Sequence, residues 1–141
     1  PNSFTGKPVM SANAALLQKI HQFVHRAWTK SAKDFDITHS EFEYLSAVQE
    51  QADLQRFEDA HGQHLQDIVD ALGVSKASAS AMISKLEHNG YVTRFQCQMD
   101  ARASHIILTE TGQIKLARGR KLYELAAQIL AQELRQIPRP D

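Results

Sequence analysis

The segment Lys76-Ala77-Ser78-Ala79-Ser80-Ala81-Met82-Ile83-Ser84-Lys85 carries side chains whose types and spacing suit one chemistry, the recognition of double-stranded DNA. At helical periodicity Lys76, Ser80, Ser84 and Lys85 share an outer face, while Ala79, Met82, Ile83 and Leu86 share an inner one. The two ammonium groups can reach phosphates. Ser78, Ser80 and Ser84 are short donor-acceptors that let a helix approach base edges, and Ala77 and Ala81 can meet thymine methyl groups. Arg94 adds a cation further along. Within Asp100-Ala101-Arg102 the carboxylate can steady the guanidinium, and Arg102 suits an adjacent minor groove.

Other reactive residues assemble less well. His21 and His25 stand one helical turn apart, a spacing that can hold a metal, and His61 and His64 lie near Glu58 and Asp67. Neither group completes a ligand set within one local motif, so no metal and no cofactor is expected. Cys97, the single cysteine, excludes an internal disulfide. A redox role for it would need an exposed thiolate beside a cation such as Arg94, and an inert thiol is the plainer expectation. No glycine-rich phosphate loop, nucleophile elbow or paired acid-base constellation is recognisable, so the chain is not expected to be an enzyme.

The overall charge conceals this pattern. Sixteen Lys and Arg balance sixteen Asp and Glu over 141 residues. Residues 1–30 nevertheless carry +4, residues 31–74 carry −8, residues 75–121 carry +5 and residues 122–141 carry −1. A neutral protein with a basic segment can meet a phosphate backbone locally. With 43% hydrophobic and 23% charged residues the chain can bury a core. Its six Gly and four Pro point to long helices and few hairpins. No apolar run is long enough for a membrane span, and no signal-peptide pattern opens the chain, so a cytoplasmic protein is expected.

These residues need elements to hold them. Residues 1–10 read as an N-terminal arm. Ser11 or Asn13 caps a helix whose apolar stripe runs from Leu16 to Trp28 and which ends near Lys33. Thr38-His39-Ser40-Glu41 fits a capping box opening a second helix. The acidic stretch 51–63 either extends that helix or forms a long connection pinned by Leu54 and Phe57. A short helix over 64–72 ends at Gly73. Ser75 caps the helix from Lys76 to about His88, and Asn89-Gly90 stops it. Tyr91–Phe95 and Ser104–Leu108 read as strands joined through a tip around Asp100. Thr109-Glu110-Thr111-Gly112 opens a last long helix with Leu122, Leu125, Ala126, Ile129, Leu130 and Leu134 on its apolar face. The fold expected is mainly α with a small β-hairpin. It comprises a winged helix-turn-helix over 37–108 and a helical region over 11–36 and 109–137, together one compact domain.

The residues also resemble a known family. Leu72-Gly73-Val74-Ser75-Lys76, Ile83-Ser84-Lys85-Leu86-Glu87, Asn89-Gly90-Tyr91-Val92, Asp100-Ala101-Arg102 and Leu108-Thr109-Glu110-Thr111-Gly112 are similar to the MarR (multiple-antibiotic-resistance regulator) family of transcription regulators. Ile37-Thr38 with Phe42 and Leu45 is similar to that family's second helix. The resemblance implies a prokaryotic homodimeric regulator, more often a repressor, on a pseudo-palindromic operator, with Asp100 and Arg102 in the wing's DNA contact. It implies too that the helical region over 11–36 and 109–137 is the dimerisation region. It also implies a cleft for a small aromatic or lipophilic effector, near Trp28, Phe35, His39 and Phe42. The chain departs from the family pattern at Ala81, where a basic or long polar residue is common, so sequence preference would lean on groove width through Arg102. It departs again after Gly112, where only 29 residues remain, leaving the first and last helices to make the dimer. The acidic link at 51–63 has no counterpart. The alternative function is a winged-helix module for protein contact, with the acidic 31–74 segment as its recruiting surface.

Overall fold

The computed structural model describes residues 9–55, 64–96 and 104–136, without the side chains of residues 31, 32, 35 and 55. Five helices and two strands follow in the order α1 (Ala12–Phe35), α2 (His39–Gln55), α3 (Leu65–Leu72), α4 (Lys76–His88), β1 (Val92–Gln96), β2 (Ser104–Leu108) and α5 (Glu110–Gln136). The expected arm is described only from Val9. Cys97, the tip residues Asp100 and Arg102, and Phe57, Glu58 and His61 of the acidic link lie outside the described residues. Up to Gln55 that link continues α2, and Leu54 stays largely exposed on it.

Two compact units form. One takes the chain up to Ser31 and from Arg120 onward, and the other is Ala32–Gly119. In the helical unit, Leu16, Trp28, Leu122 and Ala126 are buried. Lys19 Nζ on α1 meets Glu133 Oε1 on α5 at 2.5 Å. Among the described residues of this unit, Leu17, Leu125, Leu130 and Leu134 remain exposed.

Local chemistry explains where the elements of the winged unit begin and end. Asp36 stops α1 with φ 52°, a left-handed conformation that Asp tolerates better than most residues. The predicted capping box opens α2: the Glu41 N–H donates to Thr38 Oγ1 at 3.1 Å and the Thr38 N–H donates to Glu41 Oε1 at 2.9 Å. Gly73, with φ 65°, ends α3 and donates its N–H to the Val69 carbonyl at 2.9 Å. Ser75 caps α4 by accepting the Ser78 N–H at 3.1 Å.

The end of α4 shifts the first strand from its expected place. The Tyr91 N–H donates to the Leu86 carbonyl at 2.9 Å and the Gly90 N–H to Glu87 at 3.0 Å, closing the helix around a left-handed Gly90. Tyr91 is therefore spent on the helix terminus, its ring buried, and the ladder starts one residue later than its β-forming composition suggests. β1 and β2 pair antiparallel with Val92 opposite Leu108 and Gln96 opposite Ser104. The core of this unit is Leu45 and Val48 of α2, Ile68 of α3, Ala79, Ile83 and Leu86 of α4, Val92, Ile106 and Leu116. Each fully buried Leu or Ile stabilises by about 1.5–3 kcal/mol relative to exposure.

Candidate nucleic-acid interface

Burial of Ala79, Ile83 and Leu86 turns the opposite side of α4 to solvent. Lys76, Ala77, Ser78, Ala81, Ser84 and Lys85 are exposed there, and Ser80 is half-buried. The outward surface is a row of small side chains with a lysine near each end, a shape that can lie deep in a major groove. Ser75 Oγ also donates to Ser78 Oγ at 2.9 Å, so the cap already engages one of the expected base-reading hydroxyls.

The expected cations differ in what holds them. Arg94 leaves β1 and folds back on α4. Its Nη2 donates to Ser84 Oγ at 2.9 Å and to Glu87 Oε1 at 3.1 Å, and its Nε donates to the same carboxylate oxygen at 3.2 Å. The base of the wing is thereby tied to the recognition helix, and Glu87 offsets part of the Arg94 charge. Lys85 Nζ lies 3.9 Å from Glu41 Oε2, while its side chain stays 56% exposed. This is a loose tie that a phosphate can replace. Lys76 meets no carboxylate among the described residues.

Lys115 contributes to the sequence's basic segment but not to its surface. It is buried, with Nζ 3.7 Å from Asp36 Oδ2 and 5.6 Å above the Tyr91 ring. The Tyr91 hydroxyl donates to the Asp36 carbonyl at 3.3 Å. Burial, then the neighbouring Asp36 and Glu41 carboxylates, push the Tyr91 hydroxyl above its ordinary pKa. Together these contacts fasten the end of α1 to the base of the wing. Glu87 and Glu41 were not read from the sequence as partners of the interface. Glu41 was legible only as a cap, and nothing local signals that its second oxygen faces Lys85.

Gly112 gives the Leu-Thr-x-x-Gly segment its physical meaning. A Cβ at this position would overlap the Tyr91 carbonyl oxygen. The Thr109 N–H donates to that same carbonyl at 3.0 Å, and Thr109 Oγ1 both donates to the Gly90 carbonyl at 2.6 Å and accepts the Gly112 N–H at 3.0 Å. The first turn of α5 is thus seated on the junction between α4 and β1. Gly119 has a similar cause, since a Cβ there would enter the Phe42 ring.

The residues expected near an effector separate between the units. Trp28 is buried in the helical unit. His39 and Phe42 belong to the winged unit, their rings stacked with centroids 6.4 Å apart, and the Phe35 side chain lies outside the described residues. His21 and His25 are exposed on α1. Among the described residues no three His, Cys, Asp or Glu side chains gather in a way that could hold a metal ion. No helix of the described residues is long and apolar enough to cross a membrane.

A helix-turn-helix whose second helix is tied to a two-stranded hairpin, with a polar outer face of small residues, defines a winged helix-turn-helix protein. Residues 37–104 match the sequence model of the MarR family of transcription regulators. The MepR–DNA complex from S. aureus superposes with a TM-score of 0.67 at 20% identity, covering 93% of this chain and 88% of that one. The reduced form of MarR from E. coli gives 0.67 at 20% identity, covering 91% and 88%. BpsR of Bordetella bronchiseptica gives 0.59 at 19% identity, covering 84% and 83%. No curated protein sequence matches the chain.

Proposed function

We propose that this chain is a DNA-binding regulator of the MarR family, a ligand-responsive repressor that acts as a homodimer on a pseudo-palindromic operator. The observation that carries the reading is the exposed face of α4, with small side chains between Lys76 and Lys85 and the wing strand bound to it through Arg94. A helix so stripped of bulk can enter the major groove while its lysines meet phosphates on either side. Lys76, Ala77, Ser78, Ser80, Ala81, Ser84, Lys85 and Arg94 are the proposed contacts on α4 and β1, and Asp100 and Arg102 those of the wing tip. The similarity to MepR, crystallised as a DNA complex, supports the same use of the fold.

Dimerisation draws support from the leucines left exposed on α5, Leu125, Leu130 and Leu134, with Leu17 on α1. A second copy would cover them, with 11–36 and 109–137 as the dimerisation region. Two-fold symmetry would then set the recognition helices about 34 Å apart, roughly 10 base pairs. Response to a small aromatic or lipophilic effector is supported by BpsR, whose DNA binding is described as regulated by 6-hydroxynicotinic acid. A cytoplasmic, nucleoid-associated location goes with this role.

Light scattering combined with a salt-titrated DNA-binding assay tests the proposal. The expected result is a dimer whose affinity for DNA falls steeply with salt. A monomer at micromolar concentration without salt-dependent DNA binding would overturn it, and would favour the protein-contact alternative.

A further inference from the structure

A cavity of about 410 Å³ opens in the winged unit where the start of α2 meets the end of α4. Its walls include Asp36, Ile37 and Glu41 on one side and Lys85, Asn89 and Tyr91 on the other. All of them fall within Ala32–Gly119, and none belongs to the helical unit that carries the exposed leucines. The volume lies within the range of roughly 300–1,000 Å³ usual for small-molecule sites.

Glu41 gives the cavity its character. Its side chain is only 7% exposed, and Oε1 is taken by the Thr38 N–H at 2.9 Å. Oε2 has Lys85 Nζ at 3.9 Å, which is longer than a hydrogen bond, and the lysine side chain is 56% exposed. Burying a carboxylate is costly unless its charge is paired and hydrogen-bonded, and a solvated lysine at this distance answers it weakly. Asp36 adds a second carboxylate on an exposed rim, with Lys115 Nζ 3.7 Å from its Oδ2. The Tyr91 hydroxyl in the same wall is pushed above its ordinary pKa by burial, then by Asp36 and Glu41. The acids therefore outweigh Lys85 in setting the field there. A guanidinium matches this arrangement, because its planar fork of five donors can serve Glu41 Oε2, Asp36 and the Asn89 amide oxygen together. A short alkyl chain on it would cover Ile37 and the Tyr91 ring. A bare metal ion would fill little of the volume, and an anion would face two carboxylates.

We propose that this cavity binds a small organic cation, a guanidinium compound with a short apolar chain, anchored by Glu41 and Asp36. The site stands on the geometry of the winged unit and does not depend on the DNA reading. Titrating the intact chain with n-butylguanidinium, with the isosteric neutral n-butylurea as control, tests it by calorimetry and by amide chemical shifts. The cation should bind at least about tenfold more tightly than the urea, with the largest shifts over residues 36–41 and 85–91. Glu41→Gln keeps the capping box, which accepts Glu or Gln, and should lose about tenfold in affinity with native circular dichroism. Asp36→Asn keeps a residue that tolerates left-handed backbone and should weaken binding severalfold. Lys85→Ala should bind the cation at least as tightly as the parent, because the lysine competes with it for Glu41 Oε2. Equal binding of guanidinium and urea, unchanged binding by either carboxylate variant, weaker binding by Lys85→Ala, shifts confined to other segments, or no binding at millimolar butylguanidinium would each overturn the proposal.

Discussion

Replacing Gly112 by alanine sets two physical effects of opposite sign against each other. In an exposed helix the substitution stabilises by about 1 kcal/mol, because alanine loses less conformational entropy. Here the new Cβ would overlap the Tyr91 carbonyl oxygen, which is backbone and cannot rotate aside. The first turn of α5 must move away. That movement lengthens the Thr109 N–H bond to Tyr91, now 3.0 Å, and the Thr109 hydroxyl bond to Gly90, now 2.6 Å. Each such bond contributes about 1 kcal/mol net, and forced repacking costs about 1–3 kcal/mol more. After the helix-propensity gain the expected loss is about 2–4 kcal/mol, or roughly 6–16 °C in Tm for a chain of this size. Urea unfolding followed by circular dichroism measures it, with an unchanged slope as the sign that only stability has moved. A variant as stable as the parent, or more stable, would refute the account of why glycine stands at this position.

Glu87→Gln should tighten DNA binding by about three- to tenfold and steepen its salt dependence, because Arg94 loses the carboxylate that offsets it; an unchanged affinity in a filter-binding series would remove Arg94 from the interface. Lys85→Ala should weaken specific and random DNA about equally and lower the salt slope by about one per subunit, and a loss restricted to the specific operator would instead assign Lys85 to base reading. Arg102→Ala should cost on the order of 1–3 kcal/mol, more on A/T-rich operator flanks than on G/C-rich ones; equal losses would make it an ordinary phosphate contact. Alkaline stability should report Tyr91. Its hydroxyl titrates higher in the folded state than in the unfolded chain, so the folded protein holds the proton longer, and stability declines as pH rises from about 10 through the folded value. Tyr91→Phe should make that decline shallower in urea midpoints measured across the range, and an unaltered slope would contradict the assignment.

Much of this protein was decided locally and could be read from the sequence. The capping box at Thr38 and Glu41, the serine cap at Ser75, and the glycine stop at Gly73 depend on a few neighbouring residues. The division of α4 into a buried Ala79, Ile83 and Leu86 side and a small polar side follows from helical periodicity alone. The solvent-facing residues of α4 were therefore identifiable before any tertiary contact was known.

Tertiary structure decided which charges are available and why certain small residues are required. Lys115 and Lys76 are indistinguishable as residue types, yet Lys115 is buried beside Asp36 while Lys76 stays exposed. Arg94 is turned onto α4 by Glu87 across seven residues, and Lys85 faces a carboxylate forty-four positions earlier in the chain. Tyr91 has the composition of a strand residue but serves the end of a helix, because its N–H is taken by Leu86. Gly112 and Gly119 show no left-handed turn or other local cause; their lack of a side chain is explained by the Tyr91 carbonyl and the Phe42 ring. The reason is common to all of these cases. Caps and periodicity are short-range properties of a chain, whereas steric exclusion and charge pairing depend on atoms brought within a few ångströms only by folding.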